Sequence, residues 1–214
     1  MLSWIASLTC LFLPPSGWEM AQPKAPSTDI QIGFFATAST NFRPSINFAI
    51  EKEIESDLKQ YIKAVKSIHT EDPKTRYRDL GPLTTKAGEG RLIELTKPSP
   101  FGEMKVLQSI IVQDNTAYIL TAAVLKEDFA RYQAAILETF RSMELVTDLF
   151  SPISDLTKQT ELKALFDTLG SSHNRATAEA LLQKHIRSIP ELGSYWKFLV
   201  LKEGLAKINQ EASL

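Results

Sequence analysis

Cysteine is nearly absent. Cys10 is the single one among 214 residues, which excludes an intramolecular disulfide and any multi-cysteine zinc site. Histidine is almost as scarce, and His69, His173 and His185 leave few donors for metal chemistry. An excess of either charge is also lacking. Lys+Arg 24 against Asp+Glu 25 gives a net charge of −1, so no overall field draws in nucleic acid or an acidic membrane. After residue 13 no apolar run approaches the ~20 residues of a membrane span. Catalytic fingerprints are missing too: no Gly-x-Ser-x-Gly elbow, phosphate loop, dinucleotide glycine motif or His-Glu-x-x-His occurs. The expectation is a non-enzymatic protein with no cofactor and no metal.

What remains is ordinary globular material, 43% hydrophobic and 23% charged, enough for one large domain or one domain with an appendage. Residues 1–13 are almost wholly apolar, and two readings stand. As an export signal the stretch lacks a basic start and a small-x-small cleavage site, and Thr9 is a poor neighbour for a lipid-accepting Cys10. As a strand of the fold, residues 8–13 are closed by Pro14-Pro15-Ser16-Gly17, with Cys10 as a small buried apolar residue. The second reading predicts an intracellular protein, and the first an exported or lipid-anchored one.

A loop with Pro23 and Pro26 follows, and then two period-two patterns, Ile30, Ile32, Phe34 and Ile46, Phe48, Ile50, predict half-buried strands. From Ile54 the period lengthens. Ile54, Leu58, Tyr61, Ile62, Val65 and Ile68 predict a one-faced helix, ended by Asp72-Pro73. His69 closes it, where the helix dipole favours a cation. Strands are predicted over 76–83, 91–96, 104–112 and 117–125, with turns at Gly88-Glu89-Gly90 and Asp114-Asn115. The last two strands show hardly any polar alternation. Strands apolar on both sides require cover on both sides, so this antiparallel pair is expected at the centre of a sandwiched sheet, with no evident reaction chamber.

A helix is predicted over 128–143, with Phe129, Tyr132, Ile136, Phe140 and Met143 on its stripe. Beyond Leu149 only helical patterns remain, over 154–169 with Gly170 as cap, 176–189 and 191–208. The fold class is therefore α+β: an antiparallel sheet between helices over 1–147, then an all-helical region over 148–214.

Several residues point to a family. An apolar strand leading into Pro14-Pro15-Ser16-Gly17-Trp18 resembles the opening of the PsbP-like fold. So does Ala117-Tyr118-Ile119-Leu120-Thr121-Ala122, followed by Lys126 to Phe129 and a helix ending Phe140-Arg141-Ser142-Met143. That fold is shared by extrinsic photosystem proteins, Mog-type Ran-binding proteins and DcrB-like envelope lipoproteins. The resemblance implies a protein-binding or assembly module. Its alternatives are a regulator of a small GTPase or other nucleotide-binding protein, and an envelope lipoprotein. It leaves the helical extension without a counterpart.

Two groups are candidates for partner binding. Arg76, Arg78 and Arg91, with Lys86, Lys97 and Lys105 near them, lie on adjacent predicted strands. They read as a basic patch for an acidic partner, or as a solvated sheet edge, since Asp79, Glu89 and Glu94 are interleaved. In the last helix, Tyr195, Trp196 and Phe198 read as interface anchors or as core.

Overall fold

The computed structural model describes residues 8–22, 29–37, 42–169 and 175–210. The strands are β1 (Thr9–Leu11), β2 (Glu19–Ala21), β3 (Ile30–Phe35), β4 (Ser45–Glu51), β5 (Arg76–Thr85), β6 (Gly88–Ser99), β7 (Gly102–Gln113), β8 (Thr116–Leu125) and β9 (Glu144–Val146). The helices are α1 (Leu58–Thr70), α2 (Phe129–Arg141), α3 (Leu156–Thr168), α4 (Arg175–Arg187) and α5 (Gly193–Gln210). They fall into two compact units, Pro14–Met143 and Met1–Leu13 with Glu144–Leu214. Residues 1–7, Pro23, Pro26, Gly170 and His173, and the readings placed on them, lie outside the described residues.

The first unit is a seven-stranded antiparallel sheet in the order β2-β3-β4-β8-β7-β6-β5. Its centre is the pair predicted to be buried on both sides. Asp114 and Asn115 both have positive φ, 49° and 56°, which gives the hairpin turn the twist of its strands. Register then sorts the side chains. Ile110 lies opposite Ile119, and both join Ile93, Ala117, Tyr61 and Ile62 in a cluster beneath α1. Ser109 and Leu120 point to the other face, where the Ser109 hydroxyl is 3.5 Å from the Met143 sulfur at the end of α2. Ile136 and Phe140 of α2 are fully buried. Gly90 permits close strand packing on β6, because a Cβ there would stand 2.8 Å from the Ile110 carbonyl oxygen.

Helix α1 begins four residues later than its apolar spacing suggested. The Ile54 N–H is taken by the Asn115 carbonyl at 3.0 Å, and the Asp57 carboxylate caps the helix by accepting from the Gln60 N–H at 2.8 Å.

The second unit pairs β1 with β9, Cys10 lying opposite Leu145, and adds α3, α4 and α5. Leu11 and Val146 share one apolar cluster with Leu162, Leu182, Ile186, Trp196 and Val200. The boundary therefore differs from a simple cut after residue 147. The segment 8–13, expected as a strand of the sheet domain, is held by β9 in the helical unit, where its apolar side is buried. Asp155 caps α3 by accepting from the Thr157 and Lys158 N–H groups at 3.0 and 3.2 Å.

A candidate basic docking site

The sheet unit has an open concavity of about 560 Å³ lined by Arg76, Tyr77, Arg78, Glu94, Thr96, Lys105 and Lys126. Strand register builds it. Arg76 lies opposite Thr96 and Arg78 opposite Glu94, while Thr96 in turn faces Lys105 across the next ladder. Residues two apart on a strand share a face, so Arg76, Arg78, Glu94, Thr96 and Lys105 converge on one side. Lys126, just past the end of β8, completes the rim.

The charges are arranged unequally. Glu94 is nearly inaccessible, at 6% exposure, and accepts from Lys105 Nζ at 2.8 Å and from Arg78 Nη1 at 3.3 Å. Lys105 also lies 4.4 Å from the centre of the Phe129 ring, a cation–π contact that holds its stem along the sheet. Glu103 pairs with both Lys126 and Arg76. The Lys126 ammonium beside Glu103, with Arg76 assisting, holds that carboxyl below the usual carboxylate range. Four cations thus meet two carboxylates, a surplus of two positive charges. The heads of Arg76 and Arg78 remain mostly in solvent, with side-chain exposures of 68% and 69%. Guanidinium groups in that state bind carboxylates or phosphates in forked pairs, and the arrangement offers recognition of anions.

The candidate residues from the sequence separate. Arg76, Arg78 and Lys105 share the concavity, but Arg91 occupies the opposite face, paired with Asp79. Its register explains this: Arg91 is three residues from Glu94, an odd separation on a strand. Lys126 was missed, because it follows the strand signal and carries no periodicity of its own. Tyr195 and Trp196 are core residues and not surface anchors, at 4% and 1% exposure. The Tyr195 ring stacks on Phe12 at 4.5 Å, and Trp196 Nε1 donates to the Leu149 carbonyl at 2.7 Å. Phe198 is half-buried on the same helix.

His69 also departs from its expected role. Its Nε2 lies 3.3 Å from Gln108 Oε1, and partial burial, with Lys97 nearby, lowers its pKa below the ordinary value. Desolvation here outweighs the hydrogen bond to Gln108, and the neutral ring is favoured. Among the described residues no cluster of His, Cys, Asp or Glu is placed to hold a metal ion, and no helix is long and apolar enough to cross a membrane. Cys10 is buried, and burial pushes its thiol pKa well up.

No protein-family model matches the chain, and no curated protein matches it in sequence. Solved structures do. LpqN of Mycobacterium tuberculosis, described as involved in cell envelope biogenesis, aligns at 15% identity with a TM-score of 0.53, covering 65% of this chain and 84% of that one. Cyanobacterial PsbP from Synechocystis aligns at 11% identity and 0.47, over 68% of this chain and 96% of its own. The Ran-binding protein Mog1p of Saccharomyces cerevisiae aligns at 15% and 0.42, over 64% and 95%. At such identities the likeness to LpqN speaks to fold alone. The α+β architecture expected from the sequence, an antiparallel sheet with helices followed by a helical C-terminal region, is the one this chain has.

Proposed function

We propose that the chain is a non-enzymatic binding module that docks an acidic partner protein in the concavity beside β5. One observation carries the reading: four cations and two carboxylates converge on an open sheet face, with the two arginine heads turned to solvent. The internal carboxylates hold the cations in place without cancelling them. Such a face speeds encounter and selects partners by charge, while its neighbouring apolar core keeps the geometry rigid.

The test is affinity capture from native extract with the wild-type chain and with an Arg76→Gln/Arg78→Gln variant. Retention of an acidic protein by the wild type, lost in the variant and weakened by added salt, supports the reading. Capture that is indifferent to both the substitutions and salt refutes it.

A further inference from the structure

We infer that the acidic partner is received as an extended strand added alongside β5, a mode that rests on the docking reading above and makes it specific. Strand β5 is one edge of the seven-stranded sheet. Among the described residues, 76–79 make no backbone hydrogen bond outside the β5–β6 ladder. An edge of this kind is a template for another strand. Arg76 and Arg78 stand two residues apart on it, both facing the concavity and both largely exposed.

Geometry then selects the ligand. Directly opposed residues on paired antiparallel strands lie roughly 4.5–5.5 Å apart. Carboxylates at alternate positions of an added segment therefore fall opposite Arg76 and Arg78. Each guanidinium has donors beyond those given to Glu103 and Glu94, so binding need not break the internal pairs. Backbone pairing supplies affinity and the alternating carboxylates supply register.

The same strand limits the ladder. The pairing with β6 is interrupted between Asp79 and Gly81, where Gly81 takes φ 99°, and Pro82 follows with no N–H to give. The added segment is thus short, spanning the stretch from Arg76 to Asp79. A second copy of this chain is a poor occupant, because β5 against β5 sets arginines against arginines.

A fluorescent peptide alternating glutamate with threonine, offered to the full chain, tests the mode by anisotropy. Its counterpart carries N-methyl groups on the amides that would face β5, and a third peptide alternates glutamine with threonine. The expected result is saturable binding of the first, weakened about tenfold or more by N-methylation, by glutamine replacement and by Arg76→Gln/Arg78→Gln. Equal binding of the methylated peptide overturns strand addition while leaving acidic docking intact. Equal binding of the glutamine peptide, or no binding of any peptide, overturns both. Wild-type protein serves for all three peptides, so the outcome does not depend on the folding of the variant.

Discussion

Arg91 grips Asp79 through two parallel hydrogen bonds, Nε to Oδ1 at 2.7 Å and Nη2 to Oδ2 at 2.6 Å. The pair ties β6 to β5 just before the irregularity at Gly81, on the face opposite the concavity. Hydrogen bonds from Arg91 hold the Asp79 carboxyl below its ordinary value of 3.8. A carboxyl depressed in the folded state stabilises fully above its unfolded pKa and ceases to do so as pH falls through the folded one. Asp79→Asn should therefore cost about 0.5 kcal/mol near neutral pH, with the difference vanishing in acid and shrinking in salt. Urea melts of both proteins from pH 7 to pH 2 measure it, and a constant gap across that range contradicts the assignment.

Glu94 is the buried hub of the concavity. Glu94→Ala strands Lys105, one-fifth exposed, without its partner, and should destabilise the sheet unit by roughly 2 kcal/mol. Glu94→Gln keeps the shape and removes one negative charge. It should fold, lose less stability, and bind an acidic peptide more tightly than wild type. Chemical denaturation and anisotropy read the two effects separately, and unchanged affinity in Glu94→Gln argues against anion recognition here.

Thr139 in α2 is buried, and its hydroxyl has no hydrogen-bond partner among the described contacts. Burying such a group carries a desolvation penalty with no return. Thr139→Val keeps the shape and should stabilise by about 1 kcal/mol, seen as a raised midpoint in urea. A destabilised variant would mean that the hydroxyl has a partner in solution.

Cys10 should resist alkylation in the native protein and react on denaturation, because its thiol is buried and its pKa is raised. Timed iodoacetamide labelling with intact-mass readout measures this. A lipid on Cys10 requires β1 to leave its pairing with β9, and the same mass spectrum of the native protein detects that modification.

His69 supplies a second pH signature. Its folded pKa lies below the ordinary 6.5, so the unfolded chain binds the proton more readily. Stability should fall as pH drops below about 6.5 and level off beneath the folded pKa. In His69→Gln that decline should disappear, and an unaltered decline assigns it to other groups.

Periodicity carried much of the fold. Alternation at Ile30–Phe34 and Ile46–Ile50 marks strands, and the stripe through Tyr61 and Ile62 marks α1, because each buries one face. The doubly apolar pair around Ile110 and Ile119 announced its central place for the same reason. Strands β2 and β9 were illegible: three residues are too few to show a period, and β2 is exposed throughout. The site was half legible. Arg76 and Arg78 sit at a strand's alternating spacing, whereas Lys126 reaches the concavity only through the course of the chain after β8. Arg91 was separable by its odd distance from Glu94. Tyr195 and Trp196 mislead as anchors because aromatics serve interfaces and cores alike, and only packing tells which.

The pairing of Cys10 with Leu145 gives synthesis on the ribosome a fixed order of events. In sequence, the segment Pro14–Met143 lies between the two segments that make up the other unit. Nascent chain can complete Pro14–Met143 while β1 still waits, and the helical unit closes only when the final helices have emerged. Translational pausing after Met143 should therefore leave a finished sheet and an oily first strand that still lacks its β9 partner.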